Sequence, residues 1–268
     1  MEKPQEQTLL ISQYVDGILR LTLNDIQRRN ALSNALLAEL ASALASAAED
    51  DAVRVVVIAA HGPAFCAGHD LKEITAARTE PDQGLRFFEQ LFDGCAAVMQ
   101  QIVNHPKPVI AEVAGVATAA GCQLVASCDL AVAAESARFA TPGVNIGLFC
   151  STPMVALSRN VHNKQAMELL LLGDMVSAQR AEQIGLVNRA VSAEQLTEVV
   201  MEMAAKIASK SSHTLKVGKQ AFYAQLEKPL DEAYRYTAQV MVNNLLAADA
   251  KEGIGAFIEK RPPNWQDG

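Results

Sequence analysis

Hydrophobic residues along this chain change their spacing several times, and the changes mark alternating strands and helices. Residues 9–15 and 18–23 are β-rich runs joined at Asp16-Gly17, a pair suited to a two-residue turn, which predicts an opening hairpin. Ser33 then stands where a helix cap belongs, and Leu36, Leu37, Leu40 and Leu44 recur at helical spacing until the acidic run Glu49-Asp50-Asp51. Residues 53–59 form a nearly unbroken β-branched run, as a strand buried on both faces requires.

Residues 61–82 read as a loop leading into a long helix over about 84–103, which His105-Pro106-Lys107-Pro108 stops. Residues 109–113 return as a short apolar strand, a small-residue turn after Gly115 opens a helix near Gly121, and residues 130–134 and 138–140 read as two further strands. From Ser151 onward nearly everything has helical spacing except residues 187–191, with helices predicted over 193–209, 214–226, 230–246 and 250–258. The pattern predicts an α/β core over the first two-thirds and a helical tail, with no Gly-, Ser- or Pro-rich linker and no internal repeat.

Composition narrows the function classes. The chain has 268 residues, half of them hydrophobic and a fifth charged, enough for one large domain with a full core. Lys and Arg number 23 against 30 Asp and Glu, a balance of −7 that argues against a nucleic-acid partner. The longest apolar runs, such as residues 55–60, have strand length, far from the roughly 18 residues of a membrane span. The opening Met1-Glu2-Lys3-Pro4-Gln5-Glu6 is acidic and polar where a signal or transit peptide is not, so the expected location is cytoplasmic. Cys66, Cys95, Cys122, Cys128 and Cys150 are odd in number, contain no Cys-x-x-Cys pair and lie among apolar or small residues, which predicts buried free thiols and no metal site.

Two segments combine Gly and Ala between an expected strand and an expected helix, where backbone N–H groups become available to a ligand. One is Ala64-Phe65-Cys66-Ala67-Gly68-His69-Asp70-Leu71-Lys72-Glu73, the other Gly115-Val116-Ala117-Thr118-Ala119-Ala120-Gly121-Cys122-Gln123. Neither matches a dinucleotide fingerprint, a phosphate loop or a nucleophile elbow. If the two turns face each other, one N–H from each can hold a single carbonyl oxygen and the negative charge developing on it; otherwise they are tight turns with small residues for packing.

These segments, with Arg29-Asn30-Ala31-Leu32, Lys107-Pro108-Val109-Ile110-Ala111, Cys128-Asp129-Leu130, Phe139-Ala140-Thr141-Pro142 and Glu259-Lys260-Arg261-Pro262-Pro263, occur in an order that resembles the enoyl-CoA hydratase/isomerase (crotonase) superfamily. The run from Thr141 to Pro153 looks more narrowly like the branch of enoyl-CoA hydratase domain-containing protein 3. The resemblance implies an α/β fold, a crotonase-like spiral of ββα turns with a C-terminal helical trimerisation region. Residues 1–200 would form the core with the thioester site and 201–268 the oligomerising helices of the same unit, giving a homotrimer or a dimer of trimers. It implies an acyl-CoA partner, with coenzyme A present as part of the substrate and no permanently bound cofactor, and neither nucleic acid nor membrane. The thioester carbonyl would accept the N–H groups of His69 and Ala120, while Arg29, Ala31, Ala67, Lys72 and, from this or a neighbouring subunit, Lys260 would hold the CoA moiety.

The sequence departs from that pattern at two positions. Hydratases of the family carry glutamates where this chain has Gln123 and Gly143. An amide holds water but does not take its proton near neutral pH, and glycine does neither; each missing acid or base is worth on the order of 10²–10⁴ in rate. The main-chain oxyanion site does not need those carboxylates. Candidate replacements are the His69 side chain, Ser151, which matches a position some isomerases of the family fill with aspartate, Asn145 and Cys150. The implied chemistry is a hydration, an isomerisation or a decarboxylation through an enolate; the alternative is an acyl-CoA binder or partner subunit without turnover.

Overall fold

In the computed structural model, which describes residues 8–267, the opening hairpin pairs β1 (Leu10–Val15) antiparallel to β2 (Ile18–Leu23). Asp16 and Gly17 both take positive φ, 49° and 82°, as the two-residue turn demands. The acidic opening at residues 1–6 lies outside the described residues. Helix α1 (Asn34–Glu49) begins at Ser33, whose hydroxyl accepts the Leu36 N–H at 3.2 Å, and buries Leu36, Leu37, Leu40 and Leu44. The Lys107 ammonium donates to the carbonyls of Ala47, Ala48 and Asp50 at its far end, where a cation also suits the helix dipole.

The chain then winds as repeated strand, strand, helix turns: β3 (Val55–Ala60) and β4 (Ala64–Cys66) with α2 (Leu71–Ala77) and α3 (Leu85–Val103); β5 (Val109–Val113) and β6 (Val116–Thr118) with α4 (Ala120–Ser127); β7 (Leu130–Ala134) and β8 (Arg138–Ala140) with α5 (Ser151–Asn160) and α6 (Asn163–Leu172). The two-residue strand β9 (Val176–Ser177), α7 (Ala178–Gln183) and β10 (Arg189–Val191) follow. Each of these turns sends its first strand to one sheet and its second to another. The larger sheet runs β1-β2-β3-β5-β7-β10, parallel from β2 onward, and the smaller runs β4-β6-β8-β9 with only β9 antiparallel.

Residues 61–82, expected as a loop, contain β4 and α2. Three strand residues and seven helix residues are too few to show a period, and the same brevity hid β6 and β9. The helices expected in the last third all form: α8 (Leu196–Ala208), α9 (Ser212–Leu226), α10 (Leu230–Leu246) and α11 (Ala248–Glu259). The division expected at residue 200 falls inside α8, which packs Leu196, Val200 and Ala204 on Ile18, Val55, Val57, Ile110 and Val132 of the larger sheet. Each such Leu, Ile or Val is worth about 1.5–3 kcal/mol of burial. The other side of that sheet meets α1, α3, α4 and the smaller sheet in a second core containing Phe65 and Phe139.

Two polar knots tie distant segments. Glu112 on β5 takes a two-pronged contact from Arg20 on β2, at 2.7 and 3.2 Å, and the Thr197 hydroxyl of α8 at 2.7 Å. Asp129 accepts Lys219 at 2.7 Å, Tyr223 at 2.9 Å and the Val109 N–H at 2.7 Å, fastening α9 to the start of β5. Beyond α11 the tail returns over α8 and α9: Trp265 donates its indole N–H to the Ser209 carbonyl at 2.9 Å, and Asp267 pairs with Arg54 at 2.7 Å. No helix among the described residues is long and apolar enough to cross a membrane.

Candidate functional site

Strands β4, β6 and β8 are parallel neighbours, so the segments that follow them emerge at one end of the smaller sheet, where ligand crevices of parallel sheets form. There the two Gly/Ala segments meet. Gly68, at φ +93°, packs so closely on the second segment that a Cβ built on it would lie 3.0 Å from the Ala119 Cβ and 3.5 Å from the Ala120 nitrogen. A Cβ on Gly121 would overlap the Cys66 carbonyl, which is why this position takes glycine. The Thr118 hydroxyl donates to the Ala67 carbonyl at 3.1 Å, and the Ala119 N–H to the Ala140 carbonyl at 2.9 Å, so the ends of all three strands are cross-tied.

Ala119 has φ 51° and ψ −118°, a strained conformation for a residue with a side chain, at the entry to α4. It turns the chain so that Ala120 begins the helix with an N–H that has no helical partner. Neither that N–H nor the His69 N–H donates to another group among the described residues.

Three buried side-chain atoms around these strand ends lack hydrogen-bond partners: His69 Nε2, Gln123 Oε1 and Thr141 Oγ1. Such atoms are rare in folded proteins and concentrate where a ligand or water belongs. Gln123 lies on the first turn of α4, 4% exposed, and Thr141, fully buried, directly follows β8. His69 Nδ1 lies 3.3 Å from the Leu32 carbonyl and its ring meets Phe92 edge to face at 5.3 Å; burial, opposed by that carbonyl, lowers its pKa below the usual 6.5. Thr141 is not among the candidate side chains that the sequence singles out, although a polar residue at the carboxyl end of an otherwise apolar strand is a signal for it, and Phe92 closes the stretch from Thr75 expected to wall the pocket.

Gly143 and Cys150 are buried together: a Cβ on Gly143 would stand 2.7 Å from the Leu148 carbonyl oxygen and 2.9 Å from Cys150 Sγ. Burial pushes the Cys150 thiol up, as it does those of Cys66, Cys95 and Cys122, the last three to about 12, so none of them is a thiolate near neutrality. All five cysteines are free and buried. Ser151 opens α5, exposed, with its hydroxyl 3.4 Å from the Phe149 carbonyl, and Asn145 is exposed on the preceding 3-10 turn. Among the described residues, no three His, Cys, Asp or Glu side chains group as metal ligands.

On the other flank, the Arg29 carbonyl accepts the Ala67 N–H at 3.1 Å and Leu32 bridges to His69, bringing Arg29, Ala31 and Ala67 together. Asn30 makes the loop possible. It takes φ 52° and its amide donates to the His61 and Ala64 carbonyls at 2.9 and 2.8 Å. Arg28 reaches Asp25, Asp70 and Glu73 at 3.8, 3.6 and 4.0 Å, and Asp70 caps α2 through the Lys72 and Glu73 N–H groups. Lys72 is exposed beside that loop, whereas Lys260 ends α11 with φ 57°.

The family model described as Enoyl-CoA hydratase/isomerase matches residues 13–268. A rat protein named "Enoyl-CoA hydratase domain-containing protein 3, mitochondrial" is 49% identical over 97% of this chain and 85% of its own length. The crystal structure of an enoyl-CoA hydratase from Mycobacterium smegmatis is 50% identical, with a TM-score of 0.92 over 97% of this chain and 99% of that one. That of human enoyl Coenzyme A hydratase domain-containing protein 3 gives 47% and 0.91 over 96% and 100%. The ββα spiral with its C-terminal helices is therefore the crotonase fold. The same names overturn the cytoplasmic expectation: mouse and human relatives, also 49% identical, are likewise named mitochondrial, pointing to the mitochondrion. An acidic, polar opening stretch does not by itself place a chain.

Proposed function

The chain belongs to the enoyl-CoA hydratase/isomerase family, and from that premise we propose that it binds an acyl-CoA thioester and stabilises its enolate between the N–H groups of His69 and Ala120. The observation that carries this reading is the closure of Gly68 onto Thr118, Ala119 and Ala120, which leaves two neighbouring N–H donors unpaired at the end of the smaller sheet. Donors fixed in that way stabilise developing negative charge without rearranging, an effect worth about 3–4 kcal/mol for a single donor in comparable sites. The start of α4 adds the positive end of a helix.

In this reading the CoA moiety lies along the loop of Arg29, Ala31 and Ala67, with Lys72 facing its phosphates and Lys260 approaching from this or a neighbouring subunit. Gln123 and Thr141 line the acyl side, where their unpartnered oxygens accept or orient a water or a polar substituent. Water addition by a pair of carboxylates is not available to Gln123 and Gly143, so isomerisation, decarboxylation or slow hydration is the better match. The tight packing of Gly143 against Leu148 and Cys150 favours, as a second reading, a binder without turnover. Leu246, Phe257 and Ile258, 82, 84 and 72% exposed on α10 and α11, support assembly into a trimer or a dimer of trimers.

Calorimetric titration with butyryl-CoA, beside steady-state assays with crotonyl-CoA, a β,γ-unsaturated acyl-CoA and malonyl-CoA, tests the proposal. Binding with turnover of at least one ester supports the enzyme, and binding with none supports the second reading. Absence of binding to every ester rejects both.

A further inference from the structure

His69 has a feature that its backbone role does not use. Its Nδ1 faces the Leu32 carbonyl, so the hydrogen bond places the ring proton on Nδ1 and leaves a lone pair on Nε2. That Nε2 is buried and unpartnered, and the half-exposed Phe92 covers the ring edge to face. The alternatives around the site do not take protons near neutrality. Gln123 is an amide, Gly143 has no side chain, the thiols of Cys122 and Cys150 are held up by burial, and the Ser151 hydroxyl is exposed against the Phe149 carbonyl.

We propose that the His69 imidazole is the proton carrier of this site, with Nε2 removing the α-proton of the bound acyl-CoA thioester once the ligand has displaced Phe92. The inference rests on the functional reading above, which seats the thioester carbonyl on the N–H of the same residue. The Cα–H bond breaks and Nε2–H forms. The C–H electron pair becomes the Cα=C bond of the enolate, and the carbonyl oxygen takes the negative charge against the His69 and Ala120 N–H groups. The imidazolium then returns a proton to Cα, or to Cγ of a β,γ-unsaturated chain, so the cycle is redox-neutral and needs no co-reactant. Burial keeps the ring neutral at pH 7, the form a base requires.

The test is deuterium incorporation at Cα of butyryl-CoA in D2O, followed by NMR, alongside calorimetric binding of the same ester. The wild type is expected to exchange well above buffer. His69→Asn, whose amide can still donate to the Leu32 carbonyl but has no Nε2, should bind within about threefold and exchange at least about 10²-fold more slowly. Wild-type binding without exchange, or His69→Asn exchanging at the wild-type rate, overturns the proposal and leaves the binding reading intact. No binding of butyryl-CoA by the wild type removes the functional reading itself.

Discussion

Gly68 and Ala119 are locked face to face: φ +93° at Gly68 and a virtual Cβ only 3.0 Å from the Ala119 methyl leave no room for a side chain at residue 68. Gly68→Ala therefore has to push the second segment away while adopting a conformation that costs about 1–2 kcal/mol in an L-residue. Because Ala120 N lies just beyond Ala119, the displacement reaches the N–H pair directly. Butyryl-CoA affinity is expected to fall at least about tenfold for a drop of only a few degrees in Tm, since small misplacements at such sites are disproportionately harmful. Unchanged affinity in calorimetry would contradict the assignment of this turn to the ligand.

Gln123 and Gly143 respond differently to replacement by glutamate. Gln123→Glu is nearly isosteric and is expected to fold. Gly143→Glu must displace the Leu148 carbonyl and Cys150 Sγ, so it should lower stability by about 1–3 kcal/mol through overpacking. Crotonyl-CoA hydration should therefore rise with Gln123→Glu alone and gain less from the double variant than two catalytic carboxylates would supply. A fully stable Gly143→Glu by urea unfolding would show that the loop yields more easily than its packing indicates.

Asp129 carries the buried cation of α9. With Lys219 only 7% exposed in its side chain, Asp129→Asn leaves a buried ammonium without its counter-charge, held only by the Ile102 and Lys107 carbonyls at 2.9 and 3.2 Å, and is expected to cost about 3 kcal/mol. Lys219→Met leaves the carboxylate with Tyr223 and the Val109 N–H and should cost clearly less. Chemical denaturation of the two variants gives the order; equal losses would mean that the charge pairing is unimportant.

His105 is buried, with Nε2 donating to the Leu44 carbonyl at 3.0 Å and Nδ1 accepting the Lys107 N–H at 3.1 Å, and burial holds its pKa below the usual 6.5. The unfolded chain then binds protons that the folded chain refuses, so stability is full above pH 6.5 and declines as pH falls from 6.5 toward the lowered value. His69 adds in the same direction. The urea midpoint should be flat around pH 7–8 and drop by about pH 5.5, and His105→Gln should flatten that drop. A midpoint rising toward acid would reverse the sign and refute the neutral assignment.

Legibility followed length and locality. Ser33 and its leucines, the Asp16-Gly17 turn and the helices of the last third announce themselves within one element, and each formed. Strand β4 and helix α2 did not, because three and seven residues carry no period. The Asp129 to Lys219 pair, 90 residues apart, and the contact of Gly143 with Cys150 exist only through tertiary packing. The two small-residue segments were visible as candidates, but their facing each other followed from the alternation of strands between two sheets, which no local pattern encodes.

That alternation has a kinetic corollary. The candidate site is stitched from contacts such as Leu32 with His69 and Ala67 with Thr118, 37 and 51 residues apart, so its contact order is high and its loop-closure entropy is large. The pocket should appear late in folding, and an acyl-CoA would act as a selective clamp on the finished spiral, adding stability in proportion to the logarithm of its concentration over Kd.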